Sequence, residues 1–140
     1  AARAGESVLD IFLRMPARHG RAGLLDGVPS EKGRAVVELL STGDDAVISQ
    51  HFGPERGFGA FSRVNTLDGA RLYFDNRDVA HVRPSGNAPQ LRIYAVADTA
   101  ARADEIVARA LAEPGGILMD LVGVVDQQEA NNAQAKGNPA

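Results

Sequence analysis

Five residues in one short stretch of the chain have the types and spacing of a small-anion site: Arg83, Ser85, Gly86, Asn87 and Arg92. Arginine carries a planar fork of N–H donors that matches the oxygens of a phosphate. Serine and asparagine side chains add neutral donors, and glycine lets successive backbone N–H groups approach a ligand as an anion nest. The local chemistry therefore predicts a phosphate-binding loop.

The same stretch also fits an ordinary surface turn. Ser85 and Asn87 are common in turns because their side chains hydrogen-bond to nearby backbone groups. Arg83 and Arg92 would then be solvated charges beside the turn. Local spacing leaves both interpretations open, so the choice between them depends on the elements around the loop.

Two predicted β-hairpins place the candidate residues on one sheet. Residues 79–83 and 91–96 alternate in character on either side of the insert, whose prolines, glycine and asparagine are turn formers. Residues 61–67 and 70–74 form a second hairpin around Asp68-Gly69, a strong turn signal. Apolar and polar residues alternate in 70–74, which predicts a sheet with one buried and one more polar face.

Two helices complete the predicted core. Pro29 and Ser30 begin a helix that ends at Gly43. A second helix ends at Pro114-Gly115-Gly116, and its apolar positions fit one helical face at every step: Ala103, Ile106, Val107, Ala110 and Leu111. We therefore predict an α+β domain in which an antiparallel sheet of about four strands packs against two helices.

The N-terminal residues are predicted to lie outside this domain. Apolar residues at helical spacing predict a short helix that Pro16 ends. The polar, glycine-rich segment 17–23 is predicted to be a linker, which gives Arg18 and His19 no assigned role.

The domain itself is placed at residues 18–114, and residues 46–50 are predicted to form a short strand within it. Residues 115–140 are assigned to a C-terminal extension. Its first part, 117–125, is apolar enough to pack, whereas 126–140 is too poor in apolar residues to offset the entropy of ordering and is predicted to be disordered.

Composition restricts the classes of function. The 140 residues are 44% hydrophobic, which suits one domain with a single core. A net charge of −3 argues against a general nucleic-acid binder, although residues 63–92 contain five arginines against three acids. The chain has no cysteine and no membrane-length apolar run, so we expect a cytoplasmic protein that contacts neither nucleic acid nor membrane.

The ordered set of motifs is more specific than any single turn. The run Asp68 to Phe74, the segment Arg83 to Pro89 and the strand that contains Arg92 together resemble the C-terminal, fourth domain of the phosphohexomutases, the phosphomannomutase/phosphoglucomutase family. The resemblance covers roughly residues 16–113 and implies the TATA-box-binding-protein-like arrangement of that domain. It also implies that residues 1–17 are a helix and hinge from the preceding domain.

By resemblance, Arg83 would pair with the substrate phosphate, Ser85 would donate its hydroxyl, and Gly86 and Asn87 would donate N–H groups. The resemblance is not complete, since Ala88 stands where many relatives carry glutamate or threonine, and Val96 where many carry glutamate. Neither departure affects the phosphate donors.

A phosphohexomutase interconverts a hexose 1-phosphate and a hexose 6-phosphate through a phosphoserine and a bound bisphosphate. That chemistry needs a Ser-His loop, an Asp-x-Asp-x-Asp magnesium loop and a sugar-recognition loop, and none of these motifs occurs in this sequence. The resemblance therefore implies one domain of such an enzyme, with no catalytic residue and no cofactor of its own, inactive in isolation. Its partners would be a sugar phosphate and the other domains, with magnesium bound elsewhere in the full-length enzyme.

One alternative comes from a different class of protein, a stand-alone phosphate-binding or adaptor module without an enzymatic parent. The open reading frame discriminates, because a fragment continues upstream into the nucleophile and metal loops. Mannose, glucose and glucosamine phosphates all remain open as substrates.

Overall fold

A computed structural model describes residues 18–137, with side chains up to residue 134. The helix predicted to end at Pro16 lies outside the described residues. One strand and two helices precede a run of four strands and two final helices: β1 His19–Asp26, α1 Ser30–Ser41, α2 Asp45–His51, a 3-10 turn Pro54–Arg56, β2 Phe61–Asn65, β3 Ala70–Phe74, β4 Val79–Pro84, β5 Gln90–Ala97, α3 Ala100–Leu111 and α4 Ile117–Gly137.

The five strands form one antiparallel sheet in the order β1-β5-β4-β3-β2. Alternate residues of the central strands are buried on one face, where α1 packs on β4 and α3 packs on β1 and β5. Helix α4 packs against α1 and α3. The predicted α+β class, the two hairpins and the two core helices are therefore confirmed.

The linker predicted over 17–23 is wrong for residues 19–23, which belong to the edge strand β1. Strand β1 pairs with β5 along its whole length, from His19 opposite Ala97 to Asp26 opposite Gln90. Gly23 contributes close packing rather than flexibility, since a Cβ atom there would lie 2.5 Å from a methyl group of Leu111.

The strand predicted at 46–50 is also wrong, because the segment forms helix α2. Asp44 caps the helix: its side chain accepts hydrogen bonds from the N–H groups of Ala46 and Val47. This satisfies backbone donors that the first turn of a helix leaves unpaired. The helix buries Ile48 and His51.

His51 should make the stability of the fold depend on pH. Burial lowers the pKa of its imidazole below the usual value of 6.5, with an opposing effect of Asp120 and a smaller lowering by Arg56. As pH falls, the unfolded chain takes up a proton before the folded protein does. The contribution of neutral His51 should therefore be complete above about pH 6.5 and be lost as pH falls through the lower, folded-state pKa.

Urea unfolding of the wild type and His51→Gln between about pH 5 and pH 8 checks this expectation. The wild type should lose stability more steeply below about pH 6.5 than the variant does. Parallel curves over the whole range would show that His51 carries no linkage.

The C-terminal extension is more ordered than its composition predicts. Ile117, Leu118, Leu121 and Val125 of α4 are buried in the core, and the helix continues to Gly137, although disorder was expected from residue 126 onward. Alanine, glutamine and glutamate are good helix formers, so the docked first half of α4 can propagate an exposed helix. Within residues 18–137, no helix is both long and apolar enough to cross a bilayer.

Candidate anion-binding site

The face of the sheet that carries no helix is lined by arginine. Four strands contribute to this open face, and the arginines share it because the register aligns them: Arg63, Arg71, Arg83 and Arg92. The guanidinium carbon of Arg63 lies 3.8 Å from the centre of the Tyr73 ring, and Arg71 Nε donates to the Tyr73 hydroxyl at 2.8 Å. The open face is therefore a positive surface on a chain of net charge −3.

The loop of residues 85–89 connects β4 to β5 at one end of the open face. Ser85 N–H donates to the Gln90 carbonyl at 3.0 Å and closes the loop, and Val28 N–H holds its exit by donating to the Pro89 carbonyl at 3.0 Å. Helix α1 packs closely at its entrance, where a Cβ atom on Gly33 would lie 3.0 Å from Pro84 Cβ. The 85–89 loop is thus fixed by the core elements on both sides.

All five candidate residues from the sequence line one surface cavity of about 210 Å³ at this loop: Arg83, Ser85, Gly86, Asn87 and Arg92. Pro84 and Tyr94 complete its wall. Its volume is several times the roughly 30 Å³ that one water occupies in the liquid, so a small anion can enter. Tyr94 was not expected here, although the alternation of β5 puts it on the same face as Arg92.

The two arginines of the cavity lie directly opposite each other, Arg83 on β4 and Arg92 on β5. Like charges at directly opposed positions of an antiparallel pair repel each other. In addition, Arg92 Nε is buried and has no hydrogen-bond partner within the part of the chain that the structure describes. Both features would be compensated by an anion placed between the guanidinium groups.

The loop backbone offers further donors. Among the described residues, the N–H groups of Gly86, Asn87 and Ala88 make no intramolecular hydrogen bond. Gly86 and Asn87 are exposed, and a Cβ atom on Gly86 would meet nothing within 4 Å. Consecutive unpaired N–H groups beside two arginines provide a donor set for a phosphate or carboxylate.

One carboxylate lies close to the cavity. Asp68, in the turn between β2 and β3, accepts a hydrogen bond from Arg83 Nη1 at 2.9 Å. His81 Nε2 donates to the backbone carbonyl of the same aspartate, and its ring lies 5.8 Å from that of Tyr94. His81 therefore lies on the surface of the sheet, as its position in the sequence indicates. The contact of Asp68 with Arg83 was not expected from the sequence.

Arg18 and Arg77 form a separate ionic cluster beyond the other end of β5. Arg18 Nη1 lies 2.6 Å from Asp98 Oδ1, and Arg77 Nε lies 3.1 Å from the same oxygen. The hydrogen bond from Arg18, together with the charge of Arg77, lowers the pKa of the Asp98 carboxyl below its usual value. Arg18 thus ties the start of β1 to the end of β5, while the candidate cavity lies at the opposite end of these strands.

The described residues contain no group of three histidine, aspartate or glutamate side chains that could hold a metal ion. The donor set of the cavity is also cationic and rich in N–H groups, which suits an anion and not a metal.

These features define a class of protein: an α+β domain that presents a donor-rich, cationic cavity at one end of an open antiparallel sheet. The family model for "Phosphoglucomutase/phosphomannomutase, C-terminal domain" matches residues 29–113. The chain belongs to the phosphoglucomutase/phosphomannomutase family, and the matched residues form its C-terminal domain.

Two curated relatives carry the name phosphomannomutase. The protein from Salmonella muenchen is 33% identical over 102 residues, which cover 73% of this chain and 21% of that protein. The protein from Sinorhizobium fredii (strain NBRC 101917 / NGR234) is 34% identical over 91 residues, which cover 65% of this chain and 18% of that protein. The matched part of the chain spans about a fifth of the length of these relatives.

Proposed function

We propose that this chain is the substrate-phosphate-binding domain of a phosphohexomutase that interconverts a hexose 1-phosphate and a hexose 6-phosphate in the cytoplasm. The observation that carries the proposal is the cavity at the 85–89 loop. There two opposed arginines lie beside the N–H groups of Gly86 and Asn87, and within residues 18–137 neither these N–H groups nor the buried Nε of Arg92 has a hydrogen-bond partner. Family membership favours this function over a stand-alone phosphate-binding or adaptor module.

In this function the domain holds the phosphate that is not being transferred. Arg83 and Arg92 would supply charge-assisted hydrogen bonds, and Ser85, Gly86 and Asn87 would fix the orientation of the phosphate through neutral donors. The contribution to catalysis is positional, because it places the reacting end of the sugar phosphate at a nucleophile outside this chain. The phosphoserine, the magnesium ligands and the sugar-recognition loop would come from the other domains, so the 140-residue chain alone should show no mutase activity.

A chemical-shift titration of the 140-residue chain with inorganic phosphate and with mannose 1-phosphate tests the proposal. We expect weak binding, with a Kd on the order of millimolar or about −4 kcal/mol, because the rest of the substrate-binding surface is absent. The amides of residues 85–88 should shift first. Acetate at the same ionic strength is the control, since it has fewer acceptor oxygens and a lower charge than phosphate. Shifts centred on the Arg18 and Arg77 cluster, or equal responses to both anions, would contradict the assignment.

A further inference from the structure

The carboxylate of Asp68 is placed to restrain the side chain of Arg83. Its turn joins β2 to β3, and its carboxylate reaches across to β4, where it accepts from Arg83 Nη1 at 2.9 Å. Arginine has five N–H donors, and this contact is the one hydrogen bond that the Arg83 guanidinium makes among the described residues. The remaining donors are left for a ligand in the cavity.

The turn that carries Asp68 is held firmly against β4. Gly69 has a φ of +74°, and a Cβ atom there would lie 2.5 Å from the Val82 carbonyl oxygen and 2.8 Å from Arg83 Cβ. This approach to the backbone of β4 admits only glycine. The His81 side chain donates to the Asp68 carbonyl, and the Leu67 N–H donates to Asn65 Oδ1 at 3.0 Å within the turn. The carboxylate therefore extends from a fixed backbone.

Arg83 benefits from such a partner because no other hydrogen bond restrains its guanidinium in the described part of the chain. Its side chain is 41% exposed, and a long arginine side chain loses much rotamer freedom when a ligand immobilises it. A partner that restrains the guanidinium before the ligand arrives reduces that loss on binding. Asp68 also places a negative charge near the cavity, which opposes an anion. The two effects have opposite signs, so they can be separated by experiment.

We infer that Asp68 is a positioning residue for the anion site: it holds the Arg83 guanidinium in the orientation that a phosphate at the 85–89 loop requires. This inference rests on the proposed function. It adds to that function a residue of the β2–β3 turn that does not contact the ligand and acts through Arg83.

The test compares Asp68→Asn with Asp68→Ala in the 140-residue chain. Both variants remove the charge, so its effect on phosphate binding cancels between them, whereas only asparagine keeps an oxygen that can accept from Arg83. We expect Asp68→Ala to bind inorganic phosphate about 3- to 5-fold more weakly than Asp68→Asn at a constant ionic strength of about 0.15 M. The Arg83 Nε–H signal should be resolved in the wild type and in Asp68→Asn and be broadened in Asp68→Ala.

Asp98→Asn and Asp98→Ala form the matched control pair, because Asp98 also accepts from arginine side chains but lies away from the cavity. Their phosphate affinities should be equal.

Asp68→Ser provides a second truncation, because the serine hydroxyl is too short to reach the guanidinium. It replaces Asp68→Ala if the amide spectrum shows that the alanine variant does not fold.

The possible outcomes separate the role of Asp68 from the proposed function of the 85–89 loop. Equal affinities of Asp68→Asn and Asp68→Ala, with normal binding by the wild type, would overturn the positioning role and leave the proposed function intact. The same Asn-to-Ala difference at Asp98 would also overturn it, because the effect would not be specific to Arg83. If the wild type shows no phosphate response at residues 85–88, the proposed function fails and the role of Asp68 fails with it.

Discussion

Arg83→Ala is expected to abolish the response of the 85–89 loop to phosphate. The substitution removes a charge-assisted and potentially bidentate contact, and hydrogen bonds to charged groups contribute about 1.5–3 kcal/mol each. The Kd should therefore rise by about 10- to 100-fold from its millimolar starting value, beyond the range of a chemical-shift titration. Arg92 would remain, but a single guanidinium cannot bridge the phosphate from both strands.

Arg77→Ala is the matched control for this prediction, since it deletes the same side chain from a turn next to the sheet. Arg77 is 54% exposed and pairs with Asp98, so its loss should leave most of the phosphate response intact. In the full-length mutase proposed above, Arg83→Ala should reduce kcat/KM through weaker holding and poorer orientation of the substrate, while the proposed phosphoserine chemistry in another domain should remain. Equal effects of the two substitutions would mean that the loop is a surface hairpin and not a binding site.

The candidate site could be predicted from the sequence because its signals are local. Turn residues between two alternating strands fix the β4–β5 hairpin, and the two-residue side-chain period of a strand then puts Arg83 and Arg92 on one face. The donors at Ser85 to Asn87 follow from the turn chemistry itself. The residues that line the cavity therefore all fall within one short stretch, from Arg83 to Tyr94.

Other parts of the fold depend on contacts that are remote in sequence. Strand β1 pairs with β5 about 70 residues away, and Gly20 and Gly23 make the isolated segment resemble a linker. The contact of Asp68 with Arg83 likewise depends on how two separate hairpins align in the sheet. Register between strands is set by the packing of the whole buried face, which no local pattern reveals.

Helix α2 and the end of α4 were missed for a different reason. Residues 46–50 are too few to separate a period of 2 from a period of 3.6, and the capping side chain of Asp44 decides in favour of a helix. Residues 126–137 have little apolar area, but they extend a helix that the core has already nucleated. Lys32 reaches them from α1, with Nζ 2.7 Å from Asp126 Oδ1 and a second contact to Glu129.

Four arginines of the domain lie together on its open face, which suits a local anion site on a chain of net negative charge. The open face and the cavity hold Arg63, Arg71, Arg83 and Arg92, with Asp68 as the nearby carboxylate. On the helical side, acidic residues pair with the other cations, as Asp104 does with Arg21 and Asp120 with Arg56. Anions are therefore attracted to one surface while the protein as a whole stays negative.

Among substitutions that remove an ionic contact of the described residues, Arg102→Ala should lower the stability of the domain most. Arg102 lies on α3, and its Nε and Nη2 lie 2.9 Å and 2.8 Å from Asp78 Oδ2, in the turn between β3 and β4. Its Nη1 donates to the Arg56 carbonyl at 3.0 Å, and its guanidinium lies 4.7 Å from the centre of the Phe58 ring. The side chain thus joins three separate parts of the chain.

Removing Arg102 would leave a buried carboxylate without its cation, because the Asp78 side chain is only 4% exposed. Breaking a buried ion pair in this way costs about 3–5 kcal/mol, a large part of the 5–15 kcal/mol that typically stabilises a domain. Urea unfolding should show a much lower midpoint with an unchanged slope.

Arg21→Ala is the matched control, since Arg21 pairs with Asp104 on the same helix at 2.8 Å but both side chains are more than 40% exposed. Its loss should cost less than about 1 kcal/mol. The double variant Asp78→Asn/Arg102→Ala should recover part of the lost stability, because the uncompensated charge is then gone. Equal costs for the two single variants would show that the Asp78 carboxylate is solvated well enough not to need its partner.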